Sequence, residues 1–380
     1  MKVVMVFTAV VVIILLAAGI AEGVLHRRNI RRVPIRILVN GTRGKTSTAR
    51  LIAASLNAAG IRTVCRTTGS EAVLVMPDGS TSPVIRKRGA RITELIAFTK
   101  LCVQENAKAM VIECMALSEE NQRTVADSLI QPTHVVFTNS YVDHVPEQGI
   151  TEEQVAWTLA RSIHKGSQVF CTEDYYRQYC EEKGSTCHKV DILDYEKMGI
   201  ESGVPVHNQN FSLAVGLCRT LGVDEKTVIA SAAKAQGDVG LLKEIPCPKG
   251  AVLIPDFSVN DIHCMQESID SAIEKHPGRK LNLIFNSRAD REYRILLIGK
   301  VLENCSERLE NVYCVGSYPA KVKRYLSRRS KCPVFAISDE KMSEIMINAE
   351  ENEMFLGIGN IKGSGEALIE RLSQGGGCNA

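Results

Sequence analysis

The stretch ILVNGTRGKTSTAR, residues 37–50, decides the fold of this chain. It combines an apolar strand-like run, a glycine-containing turn and a helix-forming segment, as a phosphate-binding loop does. The common nucleotide-loop pattern, G-x-x-x-x-G-K-[ST], places its first glycine where Val39 stands, if Gly44 is the second. Gly41 comes two residues late. The sequence therefore predicts a nucleotide-binding loop that is shorter than the common one.

This loop supplies the groups that phosphate and magnesium binding require. Backbone N–H groups of a glycine turn at a helix N-terminus surround an anion. Lys45 would reach the terminal phosphates, and the Thr46 hydroxyl would bind Mg²⁺. A glycine turn that binds nothing is the alternative, but the G-K-T order between strand and helix favours a nucleotide. The candidate binding residues are Gly41, Thr42, Arg43, Gly44, Lys45, Thr46 and Ser47.

The composition indicates a globular protein with reduced thiols. The 380 residues are 45% hydrophobic and 23% charged, which suits about two or three domains. A net charge of +3 without a basic stripe, and only 5% aromatic residues, argue against nucleic-acid binding. The thirteen cysteines are odd in number and include no C-x-x-C pair. We therefore expect free thiols rather than disulfides or a zinc cluster.

An apolar segment near the N-terminus predicts a membrane anchor. Residues 3–21 carry no charge, and Thr8 is their one clearly polar side chain. About twenty apolar residues span a bilayer as a helix, and the basic residues that follow, such as Arg27 and Arg28, place the remaining chain in the cytoplasm. A cleaved signal peptide is the alternative, because residues 19–21 resemble a cleavage site. Positive charge after the apolar run favours an uncleaved single pass in the cell membrane.

The remaining chain alternates short apolar runs with helical patterns. VPIRILVN, AKAMVIEC and THVVFTN have the composition of buried strands, which predicts a doubly wound α/β fold with a parallel sheet. A second α/β series follows the stretch GDVGLLKEIPCPKG. We expect a transmembrane anchor with a basic flank over residues 1–32, a P-loop-containing ATP-binding domain over 33–245, and a smaller Rossmann-like domain over 246–380.

Polar side chains follow several predicted strands, where parallel sheets place their ligands. Glu113 would hold Mg²⁺ directly or through water, with a solvated acid as the alternative. Asn139, Asp143 and His144 come after the next long apolar run, and His144 could ligate a metal or lie exposed in a loop. Asn210 opens a helical segment, where its amide would cap the helix or bind nucleotide.

The second α/β series carries further candidates. Asp256 and Asn260 follow one apolar run, and Arg288, Asp290 and Arg291 follow another. Such an Arg–Asp–Arg cluster is often a surface ion network, but two arginines facing a cleft would bind carboxylates or phosphates. The late stretch GIGNIKGSG lacks the G-x-G-x-x-G spacing of a dinucleotide fingerprint.

Together these elements resemble the Mur ligase superfamily of ATP-dependent amide ligases. GTRGKT is similar to that family's G-T-x-G-K-T loop, and Asn139, Asp143 and His144 have the spacing of its N-x-x-x-D-H element. Asp256 and Asn260 match its D-x-x-x-N element. The resemblance implies a Mur ligase central domain with a smaller C-terminal domain. It also implies ATP and Mg²⁺, or Mn²⁺ in its place, as cofactors.

Within the superfamily the chain resembles the membrane-anchored ligase subunits of poly-γ-glutamate synthases. The likeness rests on the apolar anchor and on NGTRGKTSTARL, ECMA, NSRADRE and GIGNIKGSGEALIE. The short region before the loop strand argues against the UDP-substrate domain of cell-wall Mur ligases. Two positions depart from the family pattern: Lys243 replaces an expected arginine, and His207 stands where an asparagine is common.

The resemblance implies a ligase that makes γ-linked polyglutamate for a capsule or exopolymer. A γ-carboxylate would attack ATP to form an acyl phosphate and ADP, and the amino group of another glutamate would then displace phosphate. The implied partners are glutamate, the growing chain, the membrane and small membrane-embedded synthase or export subunits, with a homo-oligomer left open. The implied site comprises Lys45, Glu113, His144, Arg288 and Arg291 as catalytic residues, Thr46, Glu113 and His144 as metal ligands, and Asn210, Asp256 and Asn260 as nucleotide contacts.

Other functions remain as alternatives. A ligase like folylpolyglutamate synthase would add glutamate to a different acceptor, although the anchor counts against it. A membrane-tethered P-loop ATPase that powers transport would hydrolyse nucleotide without forming an amide bond. A guanine-selective GTPase usually carries an N-K-x-D element, which the sequence lacks. The combination of Lys45, Thr46, Glu113 and His144 argues against a non-catalytic scaffold.

Overall fold

The computed structural model describes residues 2–68, 72–86, 89–193, 208–233 and 244–375. The chain divides into two compact units, one formed by Met1–Ser140 with Pro146–Gly237 and the other by Tyr141–Val145 with Asp238–Ala380. His207 and Lys243, the two departures from the family pattern, lie outside the described residues.

Eight strands form the sheet of the first unit, in the order β4-β3-β2-β5-β1-β6-β7-β8. They are β1 (Ile35–Asn40), β2 (Thr63–Arg66), β3 (Val73–Val75), β4 (Thr81–Pro83), β5 (Ala109–Glu113), β6 (His134–Phe137), β7 (Gln168–Cys171) and β8 (Thr186–Lys189). The helices are α1 (Lys2–Arg32), α2 (Lys45–Ala58), α3 (Glu94–Gln104), α4 (Glu119–Thr124), α5 (Val145–Gln148), α6 (Glu152–Leu159), α7 (Arg177–Glu182), α8 (Asn208–Thr220) and α9 (Glu225–Ala233).

Strand β1 shows why the first sheet is covered on both faces. Its side chains alternate between two apolar clusters: Ile37 and Val39 pack with α2 and α8, whereas Leu38 packs with α3. Successive residues of a strand point to opposite faces, so an all-apolar strand requires helices on both sides. The apolar run at residues 37–40 therefore lies in a strand in the middle of this sheet, between β5 and β6.

Helix α1 contains the predicted apolar segment and continues beyond it. An 18-residue window of Val3–Arg32 has a mean hydropathy of 3.1, and the helix is long and apolar enough to cross a membrane. Its side chains are exposed up to Leu25, whereas His26 and Ile30 are buried. Nε2 of His26 lies 2.9 Å from the carbonyl oxygen of Leu129, in the π-helical turn after α4. The C-terminal part of α1 therefore packs on the first unit.

The second unit has a sheet of six strands in the order β13-β12-β11-β14-β10-β9. Its strands are β9 (Ile245–Pro246), β10 (Val252–Ile254), β11 (Lys280–Ser287), β12 (Asn311–Gly316), β13 (Val334–Ala336) and β14 (Glu353–Ile358). Its helices are α10 (Ile262–Lys275), α11 (Arg294–Cys305), α12 (Pro319–Leu326), α13 (Asp339–Asn348) and α14 (Ser364–Gly375). Leu283 and Ile284 of β11 face two different apolar clusters, so this sheet is also covered on both sides.

The α/β class predicted from the sequence is confirmed, with one difference at the sheet edges. Strands β3 and β4 pair antiparallel beside β2, and β9 pairs antiparallel with β10. The connections between these strands are short, whereas a parallel crossover requires about a dozen residues or more. Neighbouring strands joined by such short connections can therefore pair only in antiparallel orientation.

Candidate active site

The glycine loop connects β1 to α2 at the carboxyl edge of the first sheet. Val39 is fully buried in β1 and pairs with Glu113 of β5 and Val136 of β6. The strand thus continues through the position where the common pattern has its first glycine. Gly41, with a φ of 126°, and Gly44, with a φ of 78°, adopt conformations that favour glycine. The shorter loop therefore keeps glycine where the backbone requires it.

Two asparagines hold the turn. The Gly41 N–H donates to Asn40 Oδ1 at 2.9 Å, and the Thr42 N–H donates to the Asn139 carbonyl at 3.1 Å. The Arg43 N–H donates to Asn139 Oδ1 at 2.9 Å, while Asn139 Nδ2 donates to the Arg43 carbonyl at 3.3 Å. Three amides of the loop are thus bonded to the protein. The first turn of α2 remains as the part that suits an anion.

The start of α2 combines two sources of positive charge. The N-cap residue, Gly44, has no side chain to cap this helix, and the first N–H groups of the helix carry the positive end of its dipole. The Lys45 ammonium lies over the loop and donates to the carbonyls of Gly41 at 2.6 Å and Thr42 at 2.9 Å. A phosphate at this turn would meet both the helix N-terminus and the ammonium group.

The N-terminal turn of α8 packs against the loop. A Cβ atom on Gly44 would overlap the side-chain amide of Asn210, which is 8% exposed. The neighbouring Gln209 Nε2 donates to the Thr138 carbonyl and to Thr172 Oγ1, both at 2.6 Å. Asn210 therefore lies beside the loop, as a nucleotide contact would, and Gln209 fixes the end of β6.

Glu113 and Thr46 come together beside the loop. Thr46 Oγ1 donates to Glu113 Oε2 at 3.0 Å, and the Thr68 N–H donates to the same oxygen at 2.7 Å. Glu113 is 4% exposed at the end of β5. A carboxylate and a hydroxyl are oxygen donors of the kind that Mg²⁺ prefers, usually completed by substrate phosphates and water. These two residues therefore fit the predicted ion.

Two further observations bear on a metal at this site. Among the described residues, no three or more His, Cys, Asp or Glu side chains form a cluster suited to a metal. Burial raises the pKa of the Cys114 thiol, next to Glu113, to about 11. This thiol stays protonated at neutral pH, so Cys114 would be a poor ligand for a divalent ion beside Glu113.

Asp143 and His144 belong to Tyr141–Val145, a segment that groups with the second unit. Asp143 is 4% exposed; its Oδ1 accepts a hydrogen bond from Tyr293 Oη at 3.1 Å and lies 3.6 Å from Arg294 Nη2. His144 Nε2 lies 3.8 Å from Asp143 Oδ2, which is too long for a hydrogen bond. The metal-binding role of His144 stays a prediction.

The two arginines of the cluster after β11 each contact a side chain two residues further along the chain. Arg288 donates to Asp290 through both Nε, at 2.9 Å, and Nη2, at 2.8 Å. Arg291 Nη1 donates to Tyr293 Oη at 3.3 Å, and Tyr293 in turn contacts Asp143. The fork of Arg288 is thus engaged as in a surface ion network. A ligand-binding role for either arginine stays a prediction.

Asp256 and Asn260 follow β10 in the second unit. Asp256 Oδ2 accepts a hydrogen bond from Ser268 Oγ at 2.7 Å. Asn260 Nδ2 donates to the Ser258 carbonyl at 3.0 Å, but its Oδ1 is buried and has no hydrogen-bond partner among the described residues. A buried polar atom without a partner often marks a ligand contact. This oxygen is therefore the strongest structural support for Asn260 as a binding residue.

Sequence reasoning missed Arg294, which is 7% exposed near the start of α11. Its Nη1 donates to the Gly359 carbonyl at 2.8 Å and to Asn360 Oδ1 at 2.5 Å. Asn360 Nδ2 donates in turn to the Asn286 carbonyl at 2.8 Å. These hydrogen bonds hold the Arg294 guanidinium beside the Asp143 carboxylate. No sequence pattern distinguishes Arg294 from the half-buried Arg288 and Arg291 nearby, because they differ from it only in their burial in the folded chain.

Comparisons with known proteins agree with this architecture. The "Mur ligase middle domain" family model matches residues 39–207, and the "Poly-gamma-glutamate synthase CapB C-terminal domain" model matches residues 247–375. The chain is 29% identical over 388 residues to "PGA synthase CapB" of Bacillus subtilis (strain 168). That alignment covers 95% of this chain and 96% of the relative.

Solved structures show the same fold. MurF from Acinetobacter baumannii is 15% identical with a TM-score of 0.66, over 93% of this chain and 80% of MurF. A bifunctional folylpolyglutamate synthase/dihydrofolate synthase with Mn, AMPPNP and L-glutamate bound is 14% identical with a TM-score of 0.64, over 91% of both chains. This chain therefore combines a Mur ligase middle domain with a poly-γ-glutamate synthase CapB C-terminal domain, on the fold that these solved ligases share.

Proposed function

We propose that this chain is an ATP-dependent amide ligase that joins glutamate residues through γ-linkages, as the ligase subunit of a poly-γ-glutamate synthase. The observation that carries the proposal is the CapB C-terminal domain match over residues 247–375, behind a G-T-R-G-K-T loop. The contact between Thr46 and Glu113 supports it, because it brings together two oxygen donors that suit a divalent ion beside that loop. The name of the Bacillus subtilis relative, a PGA synthase, supports glutamate as the substrate.

ATP would bind at the first turn of α2. Lys45 would exchange its bonds to the loop carbonyls for bonds to the terminal phosphates, since an ammonium prefers an anionic partner. Thr46 and Glu113 would hold Mg²⁺ or Mn²⁺, which offsets phosphate charge when bound. The Mn and AMPPNP in the folylpolyglutamate synthase structure support this pairing. Asn210 lies beside the loop, where it would contact the nucleotide.

The reaction would proceed through acyl activation. The γ-carboxylate of glutamate, or of the growing chain, attacks the γ-phosphate of ATP and releases ADP. The neutral amino group of a second glutamate attacks the acyl phosphate, so that an amide bond forms and phosphate leaves. Phosphoryl transfer of this kind depends chiefly on positioning and on charge stabilisation. Lys45 would supply positive charge in the first unit, Arg288 and Arg291 would bind carboxylate or phosphate, and His144 would bind the metal.

The chain would act at the cytoplasmic face of the cell membrane, anchored by α1. The apolar stretch of this helix, in which an 18-residue window has a mean hydropathy of 3.1, supports the anchor. Exposed basic residues directly after the apolar stretch support the orientation. Small membrane-embedded synthase or export subunits would receive the polymer. Those basic residues are Arg27, Arg28, Arg31 and Arg32.

The decisive experiment supplies membranes containing the chain and its partner subunits with ATP, Mg²⁺ and labelled glutamate. We expect glutamate-dependent ADP release and a γ-linked polymer, both abolished by Lys45→Ala. ADP release that is independent of glutamate, without polymer, would instead indicate a transport ATPase. Label transferred only to a folate-like acceptor would indicate an activity like that of folylpolyglutamate synthase.

A separate experiment tests the two arginines of the second unit. Arg288→Gln and Arg291→Gln should each lower glutamate-dependent ADP release, because the neutral amide cannot hold a carboxylate or phosphate by charge. Arg308→Gln is the matched control, since Arg308 forms an exposed ion pair with Asp270 elsewhere in the unit. Wild-type turnover in both test variants would remove these residues from the site.

A further inference from the structure

Three thiols converge at one edge of the first sheet. Cys171 ends β7, Cys187 lies on the neighbouring strand β8, and Cys180 lies in α7. The Sγ atoms of Cys171 and Cys187 are 3.7 Å apart. In the parallel pairing of these strands, Cys171 faces Lys189 and Cys187 faces Val169. The two cysteines are therefore diagonal neighbours on the same face of the sheet.

The thiols differ in exposure and in acidity. Cys187 is half-buried on the last strand of the sheet, whereas Cys171 and Cys180 are each 1% exposed. Hydrogen bonds from Cys171 and Cys180 lower the pKa of Cys187. The bond to Cys187, together with burial, raises the pKa of Cys171. Because the thiolate is the reactive form, Cys187 would react first with a reagent from solvent, and Cys171 would then attack it.

Cys171 directly precedes two residues that hold the end of β6. Thr172 Oγ1 accepts a hydrogen bond from Gln209, which also bonds to the Thr138 carbonyl. Glu173 accepts hydrogen bonds from the Ser140 N–H at 3.1 Å and from Ser140 Oγ at 2.5 Å. Asn139, which clamps the glycine loop, lies between Thr138 and Ser140, the two anchored residues that follow β6. Four hydrogen bonds therefore link the residues after β7 to Thr138 and Ser140, the neighbours of the asparagine that contacts the nucleotide loop.

We propose that Cys171 and Cys187 form a redox-sensitive dithiol whose oxidation by a peroxide weakens nucleotide binding at the glycine loop. The Cys187 thiolate attacks one peroxide oxygen, which breaks the O–O bond, forms a sulfenic acid and releases hydroxide, and the hydroxide takes up a proton from solvent to become water. Cys171 then loses its proton and attacks the Cys187 sulfur; the S–O bond of the sulfenic acid breaks, its hydroxyl leaves with that proton as a second water, and the disulfide forms. The two sulfurs together lose two electrons, which the peroxide gains.

The disulfide requires a change of geometry at the end of β7. A disulfide bond is about 2.05 Å long, so the two sulfurs must approach by about 1.7 Å from their present separation of 3.7 Å. Part of this movement falls on the chain just before Thr172 and Glu173. Misplacement of a binding group by about 1 Å can lower activity by roughly a hundredfold. We expect a loss of MgATP affinity of about tenfold, because β8 absorbs part of the shift.

The test treats the purified full chain with hydrogen peroxide and measures two quantities. Peptide mass spectrometry without reductant should show Cys171 linked to Cys187, and titration with MgATP should show affinity lowered about tenfold and restored by dithiothreitol. Cys187→Ser should bind MgATP as the wild type does and lose the peroxide effect. Cys180→Ser and Cys264→Ser, which keep the dithiol, should remain sensitive.

The outcomes separate this inference from the proposed function. Absence of the cross-linked peptide, or loss of its formation in Cys180→Ser, would overturn the dithiol irrespective of what reaction the chain catalyses. A complete disulfide that leaves MgATP affinity unchanged would overturn the link to the loop. Peroxide sensitivity that persists in Cys187→Ser would also contradict the inference, because another residue would then carry the effect.

Discussion

Glu113 joins two segments of the site, since one of its oxygens accepts bonds from the Thr46 hydroxyl and the Thr68 N–H. Glu113→Gln keeps an oxygen that can accept both bonds but removes the negative charge. We therefore expect an intact fold, with MgATP turnover lowered about a hundredfold. The measurement is ADP release against Mg²⁺ concentration, with thermal unfolding as the check on folding. The exposed Glu120 gives the matched control, Glu120→Gln. Wild-type magnesium dependence in Glu113→Gln would remove Glu113 from the metal site.

His134, at the start of β6, gives the fold a defined acid sensitivity. Burial, followed by the charges of Arg36 and His188, lowers its pKa to about 4. An unfolded histidine titrates near pH 6.5, so folding favours the neutral ring. This contribution to stability is complete above about pH 6.5 and is lost as the pH falls from about 6.5 towards 4.

His134→Gln removes this titration and should flatten the dependence of the unfolding temperature on pH between about 6.5 and 4. The glutamine retains a polar group near Thr133, whose hydroxyl contacts His134 Nδ1 at 2.8 Å. Calorimetry at several pH values on both proteins makes the comparison. An identical slope in the two proteins would show that other groups carry the acid sensitivity.

At the scale of elements, the strand–loop–helix unit depends on two glycines in different ways. Gly44, before α2, and Gly60, after it, have φ angles of 78° and 80°. A Cβ on Gly60 would meet no atom within 4 Å, whereas one on Gly44 would overlap Asn210. The two positions therefore share the same backbone strain but differ in their surroundings.

Replacement by alanine separates these effects. Gly60→Ala should lower the free energy of unfolding by about 1 kcal/mol through backbone strain, with ATP affinity unchanged. Gly44→Ala should also displace Asn210 and lower ATP affinity at least about tenfold. Denaturant unfolding and calorimetric titration with MgATP measure the two quantities. Equal ATP affinity in both variants would show that the Gly44–Asn210 contact does not shape the nucleotide site.

At the scale of the whole molecule, α1 and the glycine loop lie at opposite ends of β1. Helix α1 leads into the amino end of this strand, and the loop follows its carboxyl end. The strand has six residues, each rising about 3.3 Å, so roughly 20 Å separate the two ends. A polymer made beside the loop would therefore have to travel at least that far to reach a bilayer crossed by α1.

The exposed arginines at the end of α1 should strengthen contact with an anionic membrane. Each basic residue near such a surface contributes about 1 kcal/mol, and salt screens the effect. Replacing all four by glutamine should weaken binding to vesicles rich in phosphatidylglycerol at low salt, and the difference should shrink at high salt. Phosphatidylcholine vesicles are the control. Equal binding of both proteins at all salt concentrations would contradict this role. The four residues are Arg27, Arg28, Arg31 and Arg32.

Short-range sequence patterns alone determine the strand, the glycine turn and the helix that form the nucleotide loop. The apolar run of β1, the glycines of the turn and the spacing of α2 are all short-range features, because strand and helix periodicities and positive φ angles involve neighbouring residues. The loop and the acid at the end of β5 could therefore be predicted. Their meeting through Thr46 followed from the parallel sheet, since carboxyl ends of parallel strands share one edge.

The tertiary structure alone decided the contacts between segments that are distant in the chain. Three such contacts depend on which side chains pack together. They are the two hydrogen bonds between the Asn139 side chain and the loop, the burial of Arg294, and the contact of Cys171 with Cys187. No period or local pattern encodes such packing, because it arises when apolar faces are buried against each other. The same reason explains why Tyr141–Val145, next to β6 in the chain, groups with the second unit.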